Sequence, residues 1–166
     1  MSIITKADAI LKDVINIINT PETYITGERF ENYIRERLFT RNGYTLVTKT
    51  HGYAENKDDF IEDTLGPDLK FRSVKTGKEF FVEAKYRSYF YRNAVEWCKP
   101  HQIKRFKRIA QNTPIYVVIG VGNSPDSPEQ VFLLPLDDIR YTKLFKSFLR
   151  KYEISAASPV DDTLLA

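Results

Sequence analysis

Three charged residues stand at spacings that can do chemistry. Asp68 follows Pro67, fourteen residues separate it from Glu83, and Lys85 comes two positions after Glu83. Residues Glu79 to Lys85 (EFFVEAK) are rich in strand formers, and side chains alternate between the faces of a strand. Phe80, Val82 and Ala84 then face one way, while Glu83 and Lys85 face the other. Pro67 to Val74 reads as the preceding strand, and Lys75-Thr76-Gly77-Lys78 as the turn that joins the two into a hairpin. The hairpin returns Asp68 to the side of Glu83, so the two carboxylates converge at one rim of a sheet with Lys85 beside them. Carboxylates so close repel, and one takes a proton unless a cation intervenes. A divalent cation removes the conflict, serves as Lewis acid toward a phosphoryl oxygen and supplies hydroxide at neutral pH. A lysine beside it can orient the attacking water and stabilise transition-state charge. The chemistry favoured is metal-assisted hydrolysis of a phosphodiester.

Other chemistries lack their parts. No serine–histidine pair has the context of a triad. The single cysteine, Cys98, excludes an internal disulfide, and one cysteine with two histidines cannot build the usual zinc sites. Oxygen ligands point instead to Mg²⁺, Mn²⁺ or Ca²⁺. With 42% hydrophobic and 28% charged residues among 166, the chain is a folded globular protein rather than a disordered or fibrous one. The longest apolar run, Ile115 to Ile119, is far short of the ~20 residues of a membrane span. Lys6, Asp8, Lys12 and Asp13 interrupt the N-terminal isoleucines, so no signal peptide is expected and a cytoplasmic location is the default.

The net charge of +3 names no partner, but its distribution does more. Between residues 84 and 111 eight cations face Glu96 alone, which fits a polyanionic partner or, as the plainer reading, a solvated basic helix face. Tyr86, Arg87, Tyr89, Phe90, Tyr91, Arg92 and Trp97 interleave aromatic and basic residues. Such side chains can stack on exposed bases and hold phosphates, or can pack beneath a loop. Asp58, Asp59, Glu62 and Asp63 read as a solvated acidic loop, with a second metal site as the alternative. His51 reads as a surface histidine or a proton carrier near the rim.

These residues need a scaffold. Helical spacing predicts a helix over 5–19, and a second from an N-cap at Thr26 to a stop at Asn42-Gly43. Tyr44 to Thr50 reads as the first strand and 51–66 as a loop. Pro100 opens a helix running to Gln111. Ile115 to Val121 reads as a strand buried on both faces, and Val131 to Leu134 as another. A final helix is expected over 141–151 and a frayed tail from Ser155 to the end. The fold class is mixed α/β: one domain over 1–154, a meander followed by a crossover to a buried central strand.

Pro67-Asp68 with Glu83-Ala84-Lys85 resembles the signature of the PD-(D/E)XK nucleases, the restriction-endonuclease-like superfamily. The helix before the first strand carries Gly27-Glu28-Arg29-Phe30-Glu31 and closes on Asn42-Gly43-Tyr44, as that family's often does. The likeness covers about residues 26–135. It implies a mixed sheet of about four to five strands flanked by helices, in α-β-β-β-α-β order. It also implies a DNA endonuclease that depends on Mg²⁺, with Mn²⁺ as a substitute. Asp68, Glu83 and the Ala84 carbonyl would be metal ligands, and Glu31 the helix carboxylate, with Glu28 as second choice. Lys85 would position the nucleophile, and Gln102 would tune it or contact the scissile phosphate. Phe106 stands where exonuclease-type members carry tyrosine. DNA would be held by Lys99, Lys104, Arg105, Lys107 and Arg108 on the helix, and by Tyr86, Arg87 and Arg92. Junction-resolving and restriction members usually dimerise, so a homodimer is an open expectation. The same fold could instead bind nucleic acid without cutting it.

Overall fold

The computed structural model describes residues 10–11, 21–50 and 66–165. The expected N-terminal helix, the acidic loop and His51 lie outside the described residues, apart from Ile10 and Leu11, which are helical.

Helix α1 spans Glu22–Tyr33 and continues as a π-turn over Ile34–Leu38. It begins four residues before the expected Thr26 cap. Pro21 stands at the N-cap, its carbonyl takes the Tyr24 and Ile25 amides, and Glu22 puts a carboxylate on the positive end of the dipole. The helix stops at Leu38 rather than at Asn42-Gly43, which forms the turn into the sheet.

Strands β1 (Tyr44–Lys49), β2 (Leu69–Ser73) and β3 (Glu79–Arg87) form the expected antiparallel meander. β4 (Ala94–Glu96) leaves the sheet, and helix α2 (Pro100–Ile109) crosses back to β5 (Ile115–Val121), which runs parallel to β3. β6 (Gln130–Pro135) is antiparallel to β5, and β8 (Glu153–Ile154) closes the edge. The sheet thus has six strands in the order β1-β2-β3-β5-β6-β8, against the four to five expected.

The helix expected over 141–151 is largely absent. Lys143–Phe145 is strand β7, paired with β4 in a separate two-stranded sheet. Only Lys146–Leu149 makes an α-helical turn (α3), and Arg150–Tyr152 is 3₁₀. The apolar residues at 144, 148 and 149 suit a helix, but Leu144 is buried while its neighbours Lys143 and Phe145 are exposed, which is the period of a strand.

One core cluster lies on each face of the sheet. Phe30, Ile34, Phe71, Val82 and Val118 pack under α1, and Trp97, Phe106, Val117, Ile119 and Leu144 pack on the α2 side. All seven residues of β5 are buried, as a strand covered on both faces requires. Residues from Ser155 onward, expected to fray, lie against the α1 side with Val160 in the core. Among the described residues no helix is long and apolar enough to cross a membrane.

Candidate active site

Leu69 pairs with Val82, so the residue before Leu69 comes opposite the residue after Val82. Those residues are Asp68 and Glu83. The Ala84 amide donates to Asp68 Oδ2 at 2.8 Å, which ties the two strand ends together. Each carboxyl also lies close enough to feel the other. Glu83 is only 7% exposed. Burial first, then the charge of Asp68, push its carboxyl well above the usual range, with Lys85 pulling the other way. Burial also raises Asp68, opposed by the Ala84 amide and Lys85. Without a cation both carboxyls are therefore held toward their protonated forms.

Glu31 approaches from α1. Its carboxyl is pushed up to about 7, mainly by burial and then by the charge of Asp68, while Lys49 lowers it. Lys49 Nζ lies 3.2 Å from Glu31 and 3.6 Å from Glu28. Of the two helix glutamates, Glu31 is the one that feels Asp68 and the more buried, with side-chain exposures of 18% and 47%. Lys49 was not foreseen. A bulge between Leu46 and Thr48 shifts the pairing so that Lys49 falls opposite Leu69, on the face that α1 covers. Without the extra residue Lys49 would fall on the other face. A bulge of this kind leaves no signal in YTLVTK.

Cys98 lies close enough to Glu83 and Lys85 to feel their charges, and its thiol is pushed up to about 12, chiefly by burial. It is a neutral wall of the site, not a nucleophile. Helix α2 starts just after it. Gln102 Oε1 accepts the Lys99 amide at 2.9 Å, so its oxygen closes the helix N-terminus and only its NH₂ remains to donate elsewhere. Lys99, Lys104, Lys107 and Arg108 are exposed, and Arg105 is half-buried with its guanidinium 5.4 Å from the Phe106 ring. Two of the expected DNA contacts have internal partners: the Tyr86 hydroxyl donates to Gly122 O, and Arg87 donates to Tyr86 O and Glu96 O at 2.8 Å each. Arg92 is exposed.

Among the described residues no group of three or more His, Cys, Asp or Glu side chains is placed to hold a metal ion. The donors expected at the rim are two carboxylates and the Ala84 carbonyl. They fit Mg²⁺, which keeps several waters and needs few protein ligands. Two buried carboxyls side by side mark a place where positive charge is favoured.

No family model matches the sequence, and no curated protein matches it. The fold does have a counterpart. The solved structure of Hjc, a Holliday junction resolvase from the archaeal hyperthermophile Archaeoglobus fulgidus, is similar with a TM-score of 0.54 and 14% identity. The match covers 79% of this chain and 97% of that one. The chain has the restriction-endonuclease-like fold. At 14% identity the likeness is one of architecture. In this restriction-endonuclease-like frame the rim where β2 begins beside β3 carries the clustered carboxyls described above.

Proposed function

We propose that this chain is a Mg²⁺-dependent DNA endonuclease, of the junction-resolving kind, that uses water as nucleophile. The observation that carries the reading is the meeting of Asp68 and Glu83 at the sheet rim, where the Ala84 amide holds Asp68, with Lys85 on the same strand face as Glu83. The fold neighbour, a Holliday junction resolvase, supports the nuclease class and the branched substrate.

Asp68, Glu83 and the Ala84 carbonyl would hold the cation, with Glu31 reaching it through water from the helix side. When bound, the cation supplies Lewis acidity toward a phosphate oxygen and hydroxide at neutral pH. Lys85 orients the attacking water and offsets charge on the phosphate as it develops. The Ala84 amide fixes Asp68 so that its second oxygen stays available. The exposed cations of α2 hold the backbone electrostatically, which positions DNA but reads no sequence. Two symmetric cuts across a junction would require two copies of the chain, so the active form is proposed to be a homodimer.

The test is incubation with a four-way junction, a plasmid and single strands, in Mg²⁺, Mn²⁺ or chelator. Cleavage is expected with either metal and none with chelator. Asp68→Ala, Glu83→Ala and Lys85→Ala should each lower the rate by at least ~100-fold, the scale of losing a positioned charge at a reacting centre. DNA binding should be retained. Wild-type rates in any of the three would displace the site, and binding without cleavage by the wild type would leave a binding module.

A further inference from the structure

Beyond Arg87 the chain leaves the main sheet and builds a small hairpin-like surface that is aromatic and basic. Arg92 and Asn93 have φ of 49° and 58°, and Tyr91 and Ala94 bridge across them. Two successive positive-φ residues make a tight turn that suits a strand reversal and holds its side chains outward. In the β4–β7 pair, Val95 faces Leu144 and both are buried. The flanking pairs, Ala94 with Phe145 and Glu96 with Lys143, therefore point the other way. The Trp97 amide donates to Thr142 O and its indole N–H to Tyr141 O, both at 3.0 Å, which holds Tyr141 at the end of the β4–β7 pair. Tyr91, Tyr141 and Phe145 are 62%, 73% and 52% exposed. The Arg92 guanidinium lies 5.3 Å from the Tyr91 ring, and Lys143 Nζ lies 5.6 Å from the Phe145 ring. Against these two cations Glu96 is the one anion of the pair.

This surface is tied to the rim from both sides. Arg87, two residues or ~7 Å of strand beyond Lys85, donates to Glu96 O at 2.8 Å. Two residues after Glu96, Cys98 lies within range of the charges of Glu83 and Lys85.

We propose that the outward face of the β4–β7 sheet and its turn is a stacking platform for unpaired bases. It would hold the opened strand of a branched DNA while the adjacent phosphodiester lies at the Asp68–Glu83 rim; this rests on the nuclease reading above. Intact duplex hides its base faces, so exposed rings gain nothing from it. An unpaired nucleotide offers a π-face to Tyr91, Tyr141 or Phe145 and a phosphate to Arg92 or Lys143, which stand beside two of those rings. A protein partner of ordinary composition would have to desolvate those same cations, which charge complementarity with a polyanion avoids.

The test compares affinities in chelator, where no cutting is expected, for a fork with an unpaired arm and for the matching intact duplex. The variant is the double substitution Tyr141→Leu with Phe145→Leu, which keeps apolar area but removes both rings. Its fork affinity should fall about tenfold or more, given the usual worth of base stacking on aromatic rings, with duplex affinity unchanged. Tyr141→Trp with Phe145→Trp should keep the preference. The fork-to-duplex ratio is read within one sample, so the folded fraction cancels. A wild type that binds and cuts DNA while the Leu variant keeps the full ratio would overturn the platform alone. Equal losses on both substrates would also overturn it, as would a wild-type dimer that the Leu variant dissociates with the ratio unchanged. A wild type that binds no DNA would overturn the nuclease reading with it.

Discussion

Asp68, Glu83 and Lys85 were legible because strand alternation and a short hairpin suffice to bring them together. Lys49 was not, because its face is set by one extra residue in β1. With Lys49, the site holds three buried or half-buried carboxyls and two lysines, and this composition sets its response to pH. Glu31 is raised to about 7, and Asp68 and Glu83 are raised by burial. A carboxyl whose folded pKa exceeds its unfolded value, ~4, binds more protons folded than unfolded between the two. Stability then falls as pH rises through that window. The metal-free protein should therefore melt at a higher temperature at pH 5 than at pH 7.5. Cation binding requires ionised ligands, so Mn²⁺ should raise the melting temperature more at pH 7.5 than at pH 5. Glu31→Gln should flatten the metal-free profile, and Lys49→Met should move its midpoint upward, since Lys49 lowers Glu31. Thermal melts across pH with chelator or Mn²⁺ decide this. Equal Mn²⁺ stabilisation of wild type and Asp68→Asn would place the metal elsewhere.

At the scale of elements, β5 was read to the residue, because seven apolar positions in a row admit few other descriptions. The segment at 141–151 failed because an apolar pair at 144 and 148 fits a helix as well as it fits a strand followed by one helical turn. Only pairing with β4 decides, and that partner is some fifty residues away. The seating of α1 on the sheet is equally non-local. A Cβ at Gly120 would come within 2.4 Å of Phe30 Cε2, so the helix rests where β5 has no side chain. The Phe30 ring cannot swing clear, because it packs against Tyr33 and Tyr86 at centroid distances of 5.7 and 5.8 Å. Gly120→Ala should then lift α1 and cost ~1–3 kcal/mol, the range for overpacking a core. Glu31 follows Phe30 directly, so cleavage should fall further than the lost stability explains. Phe30→Leu in the same chain should recover part of both. Denaturant titration with cleavage rates checks this, and an unperturbed Gly120→Ala would mean that α1 is free to shift.

At the scale of the whole molecule the C-terminal segment is the largest departure from expectation. Its first eight residues, SAASPVDD, have the composition of a loop, with Val160 as the one large apolar residue before Leu164 and Leu165. What holds it is backbone, which no composition reveals. The Tyr33 hydroxyl donates to Ala156 O at 2.7 Å, Tyr44 to Val160 O at 2.9 Å and Tyr116 to Leu165 O at 2.7 Å. The Val160 amide returns a bond to Leu38 O at 2.9 Å, and Ser73 Oγ donates to Asp162 at 3.1 Å. The strap therefore ties the end of α1 to β1, β2 and β5 through the tips of three tyrosines whose rings are core. Ending the chain after Ile154 strips those hydroxyls of their acceptors and uncovers the apolar residues around Val160. A buried polar group left unpaired costs ~1–3 kcal/mol, so with three tyrosines the truncated chain should lose at least ~3 kcal/mol of stability. The cause can be separated from the lost apolar contact. In the full chain Tyr33→Phe and Tyr44→Phe should destabilise, because each leaves a strap carbonyl without its donor. In the truncated chain the same substitutions should be neutral or stabilising, because both partners are then gone. Urea titration of the four proteins gives the coupling directly. Identical effects of Tyr→Phe in the two backgrounds would show that water satisfies the hydroxyls and that the strap holds through Val160 alone.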